Sequence, residues 1–266
     1  MILLQQAKAV VARRRILQTL VQRDLRVRYA GSAIGYLWTI LDPLAMAAIY
    51  FVVFTVIFEA RHVGYQPYIL FLIIGLLAWQ WFSQCISETA RALLQESRLV
   101  RSTNLPREFW VARIVVAKGI EYLLSLPVLA GFALYYVLLG EAALNWRLVL
   151  IPVAVALQFV LSAGIGLILA PLTVLFTDMS RIVRIAVRMG FYATPVIYGI
   201  HAVPEPLRYV LLLNPMSGIL ELYRAGFFSQ GIDLRAIAVA TVISFGVLVA
   251  GTMVFRRLEP AVLKEI

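Results

Sequence analysis

The chain has 266 residues, of which 62% are hydrophobic and 14% charged, with a mean hydropathy of +0.89. A soluble domain is about half apolar and about a quarter charged; here the apolar residues fall in long uninterrupted runs, which a bilayer accepts and a water-facing core does not. The net charge of +10 lies beside those runs, which argues against nucleic acid as the partner, and a single cysteine, Cys85, with two histidines, His62 and His201, excludes an internal disulfide and argues against a zinc site.

The first element in chain order is a helix over residues 9–27. Ile16, Leu17, Leu20, Val21 and Leu25 recur at spacings of three and four on one stripe, with Arg15, Gln18, Gln22 and Arg26 opposite. A basic amphipathic helix just before a span lies along the interface with its apolar stripe among the acyl chains; the same pattern also suits a plain topology anchor. Met1–Tyr29 holds no long apolar stretch ending in a small-residue cleavage site, so the first span is expected to act as its own uncleaved signal.

Runs long enough to cross about 30 Å of hydrocarbon predict six spans, at about 33–58, 67–87, 118–139, 148–177, 182–200 and 236–255. The fourth carries Pro152 and Pro171 near its ends, which predicts tilt or a break. The fifth is short, with Arg184 and Arg188 in its first turns. On this reading 19 of the 24 Lys and Arg residues fall on one side of the membrane, leaving Arg61, Arg147, Arg208, Arg224 and Arg235 on the other. The positive-inside rule assigns the 19 to the cytoplasm, with both termini.

Between the second and third spans, residues 91–113 form a charged connection of helical character, stopped at Pro106, after which a helix restarts at Arg107–Glu108. It reads equally as a short helix docking in a soluble partner or as a solvated loop. Residues 201–235 are the longest outer segment. Pro204 and Pro206 begin a helix through Leu213, Asn214-Pro215 breaks it, and Met216–Phe228 resumes. Each half is too short to span, so two short helices at the outer interface, or dipping in and returning, are expected.

The lysines are Lys8, Lys118 and Lys264, and none follows glycine, so the chain has no Gly-Lys-Ser/Thr phosphate loop. No histidine pair sits at i, i+4, and Asp24, Asp42, Asp178 and Asp233 are scattered, so catalysis within the chain is not expected. Charges inside spans are costly and face the bundle interior or water. Asp42, before Pro43 in span one, is either structural or functional, whereas Lys118 and Glu121, at i, i+3, read first as a structural pair. Aromatics crowd span one (Tyr36, Trp38, Tyr50, Phe51, Phe54, Phe58), with Phe191, Tyr192 and Tyr198 in span five. The interfacial rings are ordinary belt residues. The deeper ones either stack on sugar faces in a pathway or pack against lipid.

Residues 23–43, RDLRVRYAGSAIGYLWTILDP, resemble the opening signature of the permease subunits of polysaccharide-exporting ABC transporters, the O-antigen, teichoic acid and capsule exporters. The match involves Arg23-Asp24, Arg28-Tyr29, Gly31-Ser32, Gly35, Trp38 and Pro43. NLPREFWVAR at 104–113, FYATPVIYG at 191–199 and LNPMSGILELYR at 213–224 agree in order and spacing.

The resemblance implies an all-α integral membrane protein. Its parts would be an interface helix within 1–32, a six-span domain over 33–258 and a cytoplasmic tail at 259–266, with a coupling helix at about 93–105 and outer gate helices at about 204–228. It implies a homodimer over two copies of a separate ATPase that binds ATP and Mg2+, with no cofactor in this chain. The cargo would be a polyprenyl-pyrophosphate-linked polysaccharide leaving across a bacterial cytoplasmic membrane. Glu96, Ser97, Arg98, Leu99, Arg101, Arg107 and Glu108 would couple to the ATPase. Arg13, Arg14, Arg15, Arg26 and Arg28 would meet the lipid headgroup. Tyr36, Tyr50, Phe51, Phe54 and Tyr192 would line the glycan channel, and Asn214, Pro215, Glu221 and Arg224 would form the outer gate. Two alternatives stay open: a permease for a drug or simple lipid, and a membrane-embedded transferase.

Overall fold

The computed structural model describes residues 14–57, 65–103, 105–228 and 232–266, apart from the side chains of Tyr29 and Tyr36. The first helix, α1 (Arg14–Tyr29), sets Val21 against the bundle and leaves Arg14, Arg15 and Arg26 exposed. It ends in a turn where Gly31 (φ 81°) and Gly35 (φ 56°) take the left-handed region that glycine enters without steric cost. The hydroxyl of Ser32 accepts a hydrogen bond from the Gly35 N–H at 3.0 Å, closing the turn that redirects the chain into the membrane.

From there α2 (Trp38–Phe51), prolonged by a wider π-helical stretch (Val52–Ile57), runs on the outside of the bundle, whereas α3 (Tyr68–Thr89) is buried over most of its length and forms its axis. The connector folds as two short turns, α4 (Ala92–Gln95) and α5 (Ser97–Ser102), with Glu96 at the break between them. This divides the single helix expected at 93–105. α6 (Glu108–Leu138) begins ten residues before the predicted third span, because Arg113, Lys118 and Glu121 are neutralised inside the protein and the helix has no reason to stop at them. A 3-10 turn (Trp146–Leu150) leads into α7 (Ile151–Leu175), whose Gln158 donates to the Ala78 carbonyl of α3 at 2.8 Å.

The predicted fifth span is only partly helical. α8 (Met179–Tyr192) has 14 residues, about 21 Å at 1.5 Å per residue, and residues 193–199 continue as turns. Pro195 disfavours helical geometry at Thr194, which ends the helix there. Two short helices follow, α9 (Glu205–Leu212) and α10 (Pro215–Arg224), the second capped by Asn214, whose side chain accepts from the Met216 N–H at 3.0 Å. Finally α11 (Leu234–Glu265) is capped by Asp233 and runs unbroken through the stretch expected as a separate tail at 259–266.

Small residues let these helices approach closely. A Cβ on Gly251 of α11 would stand 2.3 Å from the Gly164 carbonyl oxygen of α7, and one on Gly218 of α10 would stand 2.2 Å from the Ala236 carbonyl oxygen of α11. Among the described residues five segments are long and apolar enough to cross a membrane: Trp38–Ile57, Tyr68–Thr89, Glu108–Leu138, Trp146–Leu175 and Leu234–Glu265. No strand occurs among the described residues.

Candidate functional site

Two polar constellations occupy opposite ends of α3. At the Glu88 end, α1, α3, the connector and α6 meet in a set of eight charges that balance four against four. Arg113 of α6, with its side chain 4% exposed, donates to Asp24 of α1 and to Glu96 of the connector, both at 3.1 Å. Its guanidinium also lies 5.0 Å from the Trp110 ring centroid. Arg23 of α1 reaches the same two carboxylates, Asp24 at 3.2 Å and Glu96 in a tight hydrogen bond. Burial opposes the Arg23 charge, but hydrogen bonding and Coulombic attraction from Glu96 and Asp24 outweigh it and raise its pKa above the ordinary value.

One turn further on, Arg28 pairs with Glu88 at 2.6 Å and Glu121 at 3.2 Å. Lys118 completes the set, donating to Glu121 at 2.9 Å and to the Gln84 side-chain oxygen at 2.7 Å, with Glu88 at 3.0 Å. Three helices and the connector are therefore cross-linked through charge-assisted contacts, the strong class of hydrogen bond.

At the other end the non-helical stretch after α8 carries carbonyls without helical partners, which is tolerated at membrane depth only if protein groups satisfy them. Asn214 donates to the Ala193 carbonyl at 3.1 Å and to the Thr194 hydroxyl at 2.8 Å. Arg224, fully enclosed, donates to the carbonyls of Pro195 at 2.7 Å and Val196 at 2.8 Å, its guanidinium 3.6 Å from the Phe71 ring centroid. The Tyr68 hydroxyl donates to the Ile197 carbonyl at 2.8 Å. Four carbonyls of this stretch, those of Ala193, Pro195, Val196 and Ile197, are thus met by side chains of Asn214, Arg224 and Tyr68.

The residues expected to couple to an ATPase divide. Glu96 is held inward, Arg98 and Arg101 are exposed, Ser97 and Leu99 are half-buried, and Arg107 lies 3.9 Å from Glu259 of α11, with half-buried Glu108 beside it in sequence. Leu94, 44% exposed, joins the outward set. Of the basic residues assigned to a lipid headgroup, Arg14, Arg15 and Arg26 are exposed, Arg28 turns into the charged cluster, and Arg13 lies outside the described residues. Among the aromatics, Tyr50 stacks on Phe54 (6.3 Å between centroids) and Phe191 (5.9 Å). Phe51 is partly buried against the core, Tyr192 is exposed beside Phe191, and the Tyr36 side chain is outside the description. In the segment expected on the outer side, Asn214 and Arg224 converge on the helix break after α8, Pro215 opens α10 and Glu221 is buried one turn from Arg224.

Glu88, Arg113 and Gln84 were not singled out by sequence reasoning. Gln80, Gln84 and Glu88 recur every fourth residue along a mostly apolar helix, a polar stripe legible in the sequence.

The described residues thus form a helical membrane protein with an ion-paired connector at one end and a side-chain-capped helix break at the other, and its class is set by comparison with known sequences. The sequence profile of the ABC-2 type transporter family matches residues 15–228, and the chain belongs to that family. The O-antigen export system permease protein RfbA of Myxococcus xanthus is 32% identical over 91% of this chain and 92% of its own length. The protein of that name from Klebsiella pneumoniae is 29% identical over 92% of both. The polysialic acid transport protein KpsM of Escherichia coli is 26% identical over 92% of this chain and 94% of its own length.

Proposed function

We propose that this chain is the channel-forming permease of an ABC exporter that carries a polyprenyl-pyrophosphate-linked polysaccharide outward across a bacterial cytoplasmic membrane. Two copies would form the passage, and two copies of a separate ATPase subunit would bind ATP and Mg2+. The observation that carries this reading is the co-extensive match to polysaccharide-export permeases, over nine-tenths of this chain and of theirs. A match of that extent reaches the architecture and not a shared motif alone.

In this reading the chain crosses six times with both termini in the cytoplasm, the fifth crossing being α8 plus the capped turns that follow it. The end holding α1 and the connector is cytoplasmic because it gathers the basic residues. Leu94, Arg98 and Arg101 face the ATPase, and Glu96 ties their two turns to Arg23 and Arg113. A push on the connector is therefore felt by α1 and α6 together. Arg14, Arg15 and Arg26 meet the lipid pyrophosphate, and Asn214, Pro215, Glu221 and Arg224 form the outer gate around the chain break.

The test is co-purification with the partner ATPase and reconstitution into vesicles loaded with lipid-linked glycan on one leaflet. ATP should move the glycan to a compartment shielded from added glycosidase. If glycan stays exposed while ATP is consumed and a small lipid or drug moves instead, the substrate assignment is wrong. Turnover of glycan by the isolated chain would replace transport by transfer chemistry.

A further inference from the structure

Polar lining continues from the ion-paired cluster into the hydrocarbon region. Gln80, Gln84 and Glu88 on α3 face Trp38, Thr39 and Asp42 on α2 across an open groove of about 480 Å3, within the about 300–1,000 Å3 typical of ligand sites. From Glu88 to Gln80 the stripe climbs about 12 Å at 1.5 Å per residue. Gln80 donates to Asp42 at 3.4 Å, so the two walls meet there, and a small cavity of about 20 Å3 that shares Thr39, Gln80, Gln84 and Lys118 with the groove is closed by Leu77, Tyr122 and Ser125. Arg28 and Lys118 stand at the mouth.

Asp42 is exposed although it lies within an apolar span. A carboxylate turned to acyl chains costs about 3 kcal/mol at mid-helix on insertion scales, and two amides on the facing helix add to the misfit. This face is therefore better suited to water and a polar ligand than to acyl chains. The charges say which kind. Arg28 and Lys118 are already matched by Glu88 and Glu121 at 2.6–3.2 Å, and Asp42 adds a negative charge, so the groove does not attract phosphate. It offers amides that donate and accept, carboxylates that accept from hydroxyls, and the half-exposed Trp38 ring at its rim, a flat surface for C–H faces.

We propose that the α2–α3 groove binds the leading saccharide units of the exported glycan, with Gln80, Gln84 and Asp42 hydrogen-bonding the hydroxyls and Trp38 stacking on a sugar ring. The proposal rests on the polysaccharide-export reading and moves the first sugar contacts from the aromatic set to this polar stripe. Occupancy by lipid or by a second copy of this chain is the alternative the test must detect.

The assay uses the assembled permease–ATPase complex in inside-out vesicles. In a Cys85→Ala background, which removes the single cysteine, Gln80→Cys and Gln84→Cys are exposed to a membrane-impermeant thiol reagent, with Leu124→Cys on the apolar face of α6 as control. Both groove cysteines should label and the control should not. Lipid-linked glycan at ten times its dissociation constant should slow labelling about tenfold. Labelling unchanged by glycan in a complex that still exports it overturns the groove assignment alone, as does absence of labelling, which marks a surface covered by lipid or a second copy. Failure of the unsubstituted complex to export glycan overturns the functional reading instead. Hydroxyl-radical footprinting of the unsubstituted complex supplies a measure independent of substitutions: glycan should suppress oxidation of Trp38, and unsuppressed oxidation refutes the stacking role.

Discussion

Replacing Arg113 with methionine removes the cation that holds α1 and the connector to α6 while keeping an unbranched apolar stem. Arg113 has two carboxylates at 3.1 Å and is itself almost wholly enclosed. After the change, Asp24 and Glu96 share only Arg23, whose side chain is 39% exposed. Removing one partner of a buried pair costs about 3–5 kcal/mol. Asp24 and Glu96 retain 17% and 21% exposure and one cation, so the low end applies, about 3 kcal/mol. At about 2–4 °C per kcal/mol for a chain of this size, the midpoint of thermal unfolding in detergent should fall by about 6–12 °C.

Arg98→Met, on the exposed face of α5, is the control and should stay within about 0.5 kcal/mol. Adding Glu96→Gln to Arg113→Met leaves the single pair Arg23–Asp24 and restores the balance, so the double variant should recover at least about 1 kcal/mol of the loss. A midpoint for Arg113→Met within about 2 °C of the parent, or strict additivity in the double variant, would refute the view that this cluster carries tension between the helices.

Arg224→Lys keeps the charge but loses the planar fork that serves the Pro195 and Val196 carbonyls together. About 2 kcal/mol of local stability should go, seen as faster amide exchange over 193–199; unchanged exchange would show that the break needs no cap from α10. Gly251→Leu forces a side chain into the Gly164 carbonyl, at a cost of about 3 kcal/mol, and should sharply lower the yield of folded protein in the membrane, whereas Gly246→Ala, where a Cβ meets nothing within 4 Å, should not. The double change Arg98→Glu with Arg101→Glu should leave thermal stability within about 1 kcal/mol yet reduce ATPase co-purification; retention of the ATPase would remove these residues from the docking face.

The spans that hydropathy located are those with long continuous apolar runs, whether these face lipid or, as in α3, the bundle interior. The sequence also shows Lys118 and Glu121 as a pair, because i, i+3 spacing is local. The start of α6 was not legible in the same way. A hydropathy window ends a span at its first charges, but Arg113 is neutralised by Asp24, 89 positions away, and no local pattern carries that information. The end of α8 within the expected fifth span was hidden for a similar reason. Pro195 was visible, but whether a helix recovers after a proline depends on who satisfies the freed carbonyls, and the answer sits on α10, some twenty to thirty residues later. Arg224 entered the sequence analysis as one of the few basic residues on the sparsely charged side; only the fold reveals it as a buried double donor.

Both constellations attach to α3, at sites 17 residues apart. Glu88 is bound to Arg28 and Lys118, and Phe71, near the other end, lies beneath the Arg224 guanidinium while neighbouring Tyr68 holds the Ile197 carbonyl. That separation is about 25 Å along a continuous helix. Between them residues 70–79 of α3 are buried in the bundle, while Gln80 and Gln84 face the groove, and packed interiors shift as rigid blocks rather than deform by degrees. A movement of the connector that leaves the ion pairs intact has to carry α1, α6 and the Glu88 end of α3 with it. The same helix then bears on the capped break after α8. Two outcomes of that movement are distinguishable: either the caps from Asn214 and Arg224 travel with the break, and this segment moves as a unit, or they are released, and the carbonyls of 193–197 become exposed to water. Amide exchange over 193–199, measured in the complex with and without ATP, separates the two.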